Sequence, residues 1–245
     1  MLLSVVIPAH NEEGSIRETV MAFHTRLKHE KIPHEIVVVN DNSQDSTESI
    51  LQTLDEKIRE VRYVNNQPPN GFGFAVRCGL EAYQGDCVAI VMADLSDRPE
   101  DLVSYYHKMV DGNYDAVFGS RFMKGGKTVN YPPFKLLLNR FTNGIVRILF
   151  GIRYNDVSNA FKLYKRETIQ GLKPFLSHHF NLTVELPLKV IVRGYSYAVV
   201  PNHWTNRQLG ESKLKIKEMG SRYFFIILYC LIERWLSRGD YKKRV

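Results

Sequence analysis

The sequence has few cysteines, no internal repeats and no low-complexity segment. Its three cysteines, Cys78, Cys87 and Cys230, have neither a disulfide-type nor a metal-ligand spacing. This small odd number fits a reducing compartment and gives no sign of a zinc site or a catalytic thiol. Proline and glycine number 10 and 16. These are ordinary levels, which argue against fibrous and disordered classes.

The N-terminal residues lack the features of a signal peptide. The opening MLLSVVIPAHNEE has no basic segment and no cleavage-type segment, and its apolar stretch stops at Pro8. We therefore expect a buried first strand here and a cytoplasmic protein. The chain has 245 residues, of which 44% are hydrophobic. It can bury one sizeable core, which predicts a single main domain.

Charge is divided unevenly along the chain. Residues 1–120 contain 19 acidic and 10 basic residues, whereas residues 121–245 contain 7 acidic and 23 basic residues. A basic half favours an anionic partner, such as a phosphorylated substrate, a nucleic acid or an anionic membrane surface. Metal-bridged phosphates are one explanation of the acidic half, and an ordinary solvated surface is the alternative.

The first 120 residues alternate short β-branched runs with amphipathic segments. The predicted strands are Leu3–Pro8, Glu35–Asn40, Val61–Asn65, Cys87–Ala93 and Tyr114–Ser120. Apolar residues at helical spacing separate the first three strands, which predicts right-handed crossovers. The expected fold class is therefore α/β, with a mostly parallel sheet flanked by helices.

Polar segments follow three of these strands. They are Ala9–Glu12 after the first strand, Asp41–Asp45 after the second and Asp94–Asp97 after the fourth. Ligands of open α/β sheets bind beyond the carboxyl ends of the strands. We therefore expect the chemistry of the protein at this edge of the sheet.

Asp94 ends an apolar strand with a charge and is the first candidate for a metal ligand. Hard cations such as Mg²⁺ prefer oxygen ligands and keep phosphates and waters in their other positions. Ser96 or Asp97 can contribute further oxygens. The alternative is capping of the helix that begins near Pro99, which suits Asp97 particularly well.

Asp41 and the glycine-containing segment Asn70–Ala75 each have two interpretations. The Asp41 carboxylate can accept hydrogen bonds from the N–H face of uracil or guanine, or it can serve as a turn residue or helix cap. The Asn70–Ala75 segment has Val76 where a dinucleotide fingerprint needs its third glycine. It also follows the third strand instead of the first, so a nicotinamide cofactor is not expected, and a glycine turn that opens a helix is the favoured interpretation.

The second half of the chain predicts three helices and one strand. They are Phe134–Phe150, Leu182–Arg193 and a helix containing Tyr223–Ile232, with a strand at Tyr195–Val200. The last helix includes ten consecutive apolar residues, fewer than the roughly 20 that span a bilayer. Basic residues and Trp235 around this run fit a helix in a membrane interface, and packing in the core is the alternative.

Five segments, taken in order, resemble family 2 glycosyltransferases of the GT-A fold, close to the polyprenyl-phosphate (dolichyl-phosphate) mannose or glucose synthases. The segments are Val5–Glu13, Asn40–Thr47, Gly85–Asp94, Gly119–Arg121 and Gly210–Leu214. The resemblance implies an inverting, metal-dependent transfer of a hexose from a GDP- or UDP-linked donor. The favoured acceptor is polyprenyl phosphate at the cytoplasmic face of the membrane. Nucleic acid is not an expected partner.

The uneven charge and the C-terminal apolar run, taken with the resemblance, predict a division of the chain. Residues 1–215 form one catalytic domain, with the donor and metal at 1–120 and the acceptor at 121–215. Residues 216–245 form a C-terminal amphipathic helix with a basic tail, for which contact with the membrane interface and packing in the core are the two interpretations.

Roles follow residue by residue from the same resemblance. The residues expected to contact the donor are Pro8, Ala9, His10, Glu12, Val39, Asp41, Ala93 and Asp94. Asp94 is expected to bind Mg²⁺ or Mn²⁺ with Ser96 in support. Asp94 is a catalytic candidate on the same ground, and Asp97 is a second candidate because of its position alone. The residues expected to bind donor or acceptor phosphates are Arg121, Lys135, Arg207, Lys213 and Lys215.

The sequence departs from the family pattern at two positions. Met92 stands where the family has the first carboxylate of an Asp-x-Asp motif, and Leu209 stands where the polyprenyl-phosphate synthases have a basic residue. Two alternatives therefore stay open: a transferase with a saccharide acceptor, and a degenerate protein that binds the nucleotide-sugar without turnover. A saccharide hydroxyl needs a general base. Asp97 and Glu185 are the candidates, although a structural ion pair is also expected for Glu185.

Overall fold

A computed structural model describes residues 1–206 and 216–243 of the chain as an α/β structure. The strands are β1 (Leu3–Ala9), β2 (His34–Asn40), β3 (Val61–Asn65), β4 (Cys87–Ile90), β5 (Ala116–Ser120), β6 (Lys127–Val129), β7 (Lys162–Lys165), β8 (Tyr197–Pro201) and β9 (His203–Thr205). The helices are α1 (Ile16–His29), α2 (Thr47–Lys57), α3 (Phe72–Ala82), α4 (Pro99–Gly112), α5 (Pro133–Phe150), α6 (Arg166–Gly171), α7 (Leu182–Val192) and α8 (Ile216–Leu236).

Seven strands form the central sheet in the order β3-β2-β1-β4-β7-β5-β8. Strands β1 to β4 pair in parallel, and β5 pairs in parallel with β8. The runs of valine and isoleucine predicted as strands form β1, β2 and β4 and are buried on both faces. This double burial is typical of parallel strands covered by helices, so the predicted fold class is confirmed.

Strand β7 was not predicted from the sequence. It lies between β4 and β5 and runs antiparallel to both. Its four residues, KLYK, begin and end with lysine, and Lys162 is buried in the sheet. A short strand with charged ends has no local signal that separates it from a loop. Only the neighbouring strands define it.

Strand β4 ends earlier than the prediction Cys87–Ala93. The backbone N–H of Val91 still donates to the carbonyl oxygen of Val6 at 3.0 Å. The next N–H, that of Met92, donates instead to the Asp97 carboxylate at 3.1 Å. The backbone therefore leaves the sheet at Met92 and enters the polar loop that contains Asp94.

The predicted helices of the second half are present as α5, α7 and α8. Helix α8 buries Ile226, Ile227, Cys230 and Leu231 in the cluster that also contains residues of α7. Arg193, which follows α7, forms an ion pair with Glu233 at 2.8 Å. Within the described residues, no helix combines the length and apolarity that a membrane span needs.

Candidate active site

The loops after β1 and β2 are joined by hydrogen bonds. The N–H groups of Asn11 and Glu12 donate to the hydroxyl groups of Ser43 and Thr47 at 3.0 and 2.9 Å. In the opposite direction, the backbone N–H of Gln44 donates to the side-chain oxygen of Asn11 at 2.7 Å. Two segments more than 30 residues apart in the chain therefore form one polar surface at the carboxyl edge of the sheet.

A residue in the left-handed region reverses the chain in each loop at this edge. The φ angles are 53° at Asn11, 57° at Asn42 and 61° at Leu95. Asparagine tolerates this region well, whereas a bulky apolar residue rarely adopts it. The unusual backbone at Leu95 lies between the two predicted metal ligands, Asp94 and Ser96. Strained backbone is concentrated at functional sites, which supports this loop as one.

Asp41 holds a third segment against this edge. One carboxylate oxygen accepts hydrogen bonds from the amides of Asn66 and Asn70 at 2.7 and 2.9 Å, and the other accepts from the Gly71 N–H at 2.8 Å. His10 contacts the Asp41 carbonyl oxygen through Nδ1 at 2.6 Å. Because a carbonyl only accepts, Nδ1 carries the proton in this contact. Asp41 thus organises the loop before α3, a role that neither sequence interpretation included.

The remaining predicted donor contacts differ in accessibility. Pro8, Ala9, Val39 and Ala93 are buried, and His10 and Glu12 are half-buried. The Val39 side chain lies in the core beneath α3, where a Cβ on Gly79 would meet it at 3.1 Å. Any donor contact at Val39 therefore involves its backbone.

The Asp94 loop presents two oxygen-bearing side chains together. The Ser96 N–H donates to an Asp94 carboxylate oxygen at 3.2 Å, which closes a tight turn. The Ser96 side chain is buried, and its hydroxyl oxygen has no hydrogen-bond partner among the described residues. A buried hydroxyl without a partner costs free energy unless a ligand satisfies it. The Asp94–Ser96 turn is therefore the strongest candidate for a ligand-binding element.

Asp97 is more deeply buried than Asp94. Burial raises the pKa of the Asp97 carboxyl to about 7, partly offset by the hydrogen bond from the Met92 N–H. The backbone of Asp97 also forms a bridge with Trp204 in β9. Asp97 thus ties the two ends of the Asp94 loop together and joins the loop to β9.

Arg121 is enclosed in an ion pair. Its Nε and Nη2 atoms donate to the two carboxylate oxygens of Asp156 at 2.8 and 2.7 Å, and its guanidinium lies over the Phe122, Tyr131 and Trp204 rings. Burial acts to lower the pKa of Arg121, but the pair with Asp156 outweighs it, so the pKa is raised. Asp156 was missed from the sequence, because an isolated aspartate in a loop gives no signal of such a pairing.

Glycosyl transferase family 2 matches residues 4–172 of the chain. The polyprenol monophosphomannose synthase of Mycolicibacterium smegmatis is 31% identical over 216 residues, covering 86% of this chain and 80% of that protein. The chain belongs to glycosyl transferase family 2. The dolichol-phosphate mannosyltransferase of Pyrococcus furiosus is 31% identical over 223 residues, covering 89% of this chain but 60% of that longer protein. The predicted family is therefore confirmed.

Solved structures support the fold of this family 2 transferase. Glucosyl-3-phosphoglycerate synthase from Mycobacterium tuberculosis with Mn²⁺, UDP and phosphoglyceric acid has a TM-score of 0.70 at 18% identity. That match covers 95% of this chain and 78% of the other. The same enzyme with UDP has a TM-score of 0.68 at 20% identity and covers 95% and 79%. At these identities the likeness shows the fold alone.

The residues of the transferase fit a divalent cation with few protein ligands. Among the described residues, no group of three or more histidine, cysteine, aspartate or glutamate side chains is arranged to hold a metal. Asp94 offers one carboxylate, and Ser96 offers the unpartnered hydroxyl. Magnesium typically keeps several waters and takes one or two carboxylates plus substrate phosphates. The donor set therefore suits a cation that arrives with a diphosphate.

The remaining residues predicted from the sequence lie away from the Asp94 loop in the chain, and some of them lie outside the described residues. Glu185 forms a fully buried ion pair with Lys189 at 2.6 Å and accepts the N–H groups of Leu176 and Ser177. The structural ion pair expected for Glu185 is thus present. Lys135 lies in the first turn of α5. Arg207, Lys213 and Lys215, together with Leu209, lie outside the described residues.

Proposed function

We propose that this transferase moves a hexose from a nucleotide diphosphate donor to polyprenyl phosphate with inversion at the anomeric carbon. The observation that carries the proposal is the Asp94–Ser96 turn, in which a carboxylate and an unpartnered buried hydroxyl lie together at the carboxyl edge of the sheet. Two relatives at 31% identity are named for transfer of mannose to a polyprenol or dolichol phosphate. Sugar transfer from a nucleoside diphosphate needs neutralisation of the charge that develops on the leaving group, which a cation held at this turn would supply.

The donor is bound by the two joined loops and the Asp94 turn. The surface built by residues 9–13 and 41–47 offers the base and ribose a polar platform, with Asp41 fixing the loop before α3. Asp94 and Ser96 would hold Mg²⁺ or Mn²⁺ at the diphosphate. When bound, the cation stabilises the negative charge that develops on the leaving nucleotide. Asp97 keeps the turn in position through Met92 and the bridge to β9.

The acceptor chemistry explains why no accessible base is required. A phosphomonoester is already ionised at neutral pH, so its oxygen attacks without proton removal. Asp97, the candidate base for a saccharide acceptor, is buried and already accepts the Met92 N–H, so it is poorly placed to take a proton from an acceptor hydroxyl. A charged lipid phosphate therefore fits the described site better than a saccharide hydroxyl.

An exposed apolar surface supports a membrane-bound acceptor. Helix α5 exposes Phe134, Leu137, Phe141 and Ile148, each by 65% or more, at spacings that share one helix face. Helix α8 exposes a second set, namely Phe224, Phe225, Leu228, Ile232, Trp235 and Leu236. Soluble monomers rarely expose contiguous apolar patches of this kind. We propose that α5 and α8 lie in the membrane interface, so that polyprenyl phosphate is reached without a spanning helix.

The test of the proposed function is the variant Asp94→Asn. Loss of the carboxylate charge removes the protein's main ligand for the cation while preserving side-chain size. We expect turnover to fall by about a hundredfold or more, the range found for loss of one transition-state charge contact. The measurement is radiolabelled transfer from GDP- and UDP-hexoses to polyprenyl phosphate and to saccharides, with Mn²⁺.

Asp111→Asn is the matched control, because Asp111 is exposed on α4. It should transfer sugar at the parental rate, and both variants should keep the parental unfolding transition. Parental turnover by Asp94→Asn would contradict the metal assignment. Transfer to saccharides but not to polyprenyl phosphate would overturn the proposed acceptor.

A further inference from the structure

A basic cleft lies between the loop before α7 and the first turns of α8. It has a volume of about 440 Å³, and its lining includes His178, His179, Asn181, Arg222 and Phe225. Among the residues that the structure describes, no carboxylate lines it. Two imidazoles, a guanidinium and an amide can all donate hydrogen bonds, so the polar part of the cleft is complementary to an anion.

The loop that carries the two histidines is held rigidly. Arg77 donates through Nη2 to the carbonyl oxygens of Phe175 and Ser177, both at 2.7 Å. The buried Glu185 accepts the Leu176 and Ser177 N–H groups at 2.8 and 2.6 Å. This network holds the backbone of residues 175–177, which directly precedes the two histidines. This wall of the cleft is therefore preorganised, which lowers the entropic cost of binding.

The cleft is adjacent to the donor site through the start of α3. A Cβ on Gly73 would overlap the backbone of His178 and His179, so the loop lies directly against the first turn of α3. The residue before that helix, Gly71, donates its N–H to Asp41. The Phe72 ring stacks on Phe180, and Phe74 stacks on His178. One packed unit thus connects the cleft wall to the loop organised by Asp41.

The cleft is also continuous with the apolar face of α8. Phe225 lines the cleft and is 58% exposed, and Phe224 and Leu228 continue the exposed face along the helix. Arg222 lies one turn earlier on the same helix. A ligand that combines an anionic head with an apolar chain therefore finds both contacts along a single helix.

We propose that this cleft binds a phosphomonoester carried on an apolar chain, with the phosphate at Arg222 and His178 and the chain along Phe225. The proposal rests on the proposed function for the identity of the ligand and assigns the acceptor phosphate to residues that the sequence did not indicate. Arg121, which the sequence did indicate, has its Nε and Nη2 atoms engaged by Asp156.

Binding is tested without turnover, using farnesyl phosphate and inorganic phosphate as probes in calorimetric titrations of the full chain. We expect Arg222→Gln and His178→Gln each to weaken farnesyl phosphate binding by about tenfold or more, since a charge-assisted hydrogen bond is lost. Phe225→Ser should weaken farnesyl phosphate but leave inorganic phosphate binding unchanged. Binding of GDP or UDP with Mn²⁺ should stay within twofold of the parent in all three variants, roughly the scatter expected where no contact is lost.

Arg153→Gln is the control, because Arg153 is exposed in the same basic half and outside the cleft. It should bind farnesyl phosphate like the parent, and all variants should keep the parental unfolding transition. Parental farnesyl phosphate binding by both Arg222→Gln and His178→Gln would overturn the inference. So would an equal loss in Arg153→Gln, which would indicate a general charge effect.

The inference and the proposed function fail separately. If the parent transfers sugar to polyprenyl phosphate while the cleft variants bind farnesyl phosphate normally, the cleft assignment is wrong and the function stands. If the parent binds farnesyl phosphate in a manner that depends on Arg222 but transfers no sugar to any polyprenyl phosphate, the cleft stands and the function is wrong.

Discussion

At the scale of single residues, Leu95 has a backbone conformation that leucine rarely adopts. Its φ angle of 61° lies in the left-handed region, and its neighbours are Asp94 and Ser96. The equivalent residues in the loops after β1 and β2 are asparagines, for which this conformation costs less. The same loop is held by the hydrogen bond from the Met92 N–H to the Asp97 carboxylate.

Leu95→Ile tests this strain without changing volume or hydrophobicity. Branching at Cβ adds steric conflict in the left-handed region, so we expect the unfolding free energy to fall by about 1 kcal/mol. Leu2→Ile is the control, because Leu2 is also half-buried but has no left-handed backbone. The measurement is urea unfolding of both variants. Equal stability of the two would show that Leu95 carries no particular strain.

Lys162 is a buried amine that gives the protein a pH-dependent stability. Its ammonium contacts the carbonyl oxygens of Val157 and Thr183 at 3.0 and 3.1 Å, and also that of Asn159. Burial lowers the pKa of Lys162 from 10.5 to about 7, against the opposing effect of Asp156. Between these two values the unfolded chain binds a proton that the folded chain does not. Stability due to Lys162 therefore rises with pH in that window.

Lys162→Met removes this titration. As the pH rises, we expect the unfolding free energy of the parent to increase relative to that of Lys162→Met by up to about 1.4 kcal/mol per pH unit. Urea unfolding at several pH values between the folded and unfolded pKa measures the shift. Parallel pH profiles for the two proteins would mean that the Lys162 pKa is not lowered.

At the scale of elements, α8 is held by a buried ion pair as well as by apolar packing. Arg193 donates to both carboxylate oxygens of Glu233, at 2.8 and 2.9 Å, and also to the carbonyl oxygens of Gly171 and Lys173. The side chains of the pair are 1% and 2% exposed. A buried pair of this kind fixes the position of a helix. Its net contribution to stability is small, but removing one partner is strongly destabilising because the other charge is left buried without a counter-charge.

Glu233→Gln leaves the Arg193 charge buried without its counter-charge. We expect the unfolding free energy to fall by about 3 kcal/mol, as for other broken buried pairs. The surface pair of Arg26 and Glu30 provides the control, and Glu30→Gln should cost less than about 1 kcal/mol. Both values come from denaturant unfolding. A similar small loss in both variants would show that the buried pair does not hold α8.

At the scale of the whole molecule, the apolar side chains of α5 and α8 form two exposed faces. Within the described residues, their seven-residue spacing is clearest at Phe134, Phe141 and Ile148 on α5. The opposite side of α8 is buried through Ile226, Cys230 and Leu231. One face of α8 therefore packs in the core, as one sequence interpretation expected, and the other face is exposed, so contact with the membrane interface stays a prediction.

Vesicle binding tests whether these faces contact lipid. We expect the parent to sediment with anionic phosphatidylglycerol vesicles. Ile148→Glu and Trp235→Glu should each lower the partition coefficient by about tenfold, because each removes one large apolar side chain that would be buried in the lipid. Val110→Glu is the control, since Val110 is an exposed apolar residue on α4. Parental partitioning by both variants, or a parent that stays in the supernatant, would contradict the proposed membrane contact.

Much of the fold could be predicted because its signals are local. The β-branched runs of β1, β2 and β4 and the apolar spacing of α5 indicate their elements without reference to the rest of the chain. The candidate site could be located for the same reason. Polar segments that follow parallel strands reach one edge of the sheet whatever the details of packing.

What only the tertiary structure decided depends on residues distant in the chain. The pairing of Arg121 with Asp156, the antiparallel strand β7 and the loop held by Asp41 each require contacts across 25 or more residues. No local pattern encodes such contacts, because they exist only once the sheet has formed. The sequence thus determined the family, the parallel sheet and the Asp94 loop, whereas tertiary packing decided which charges are buried, which pair, and which face of α8 is exposed.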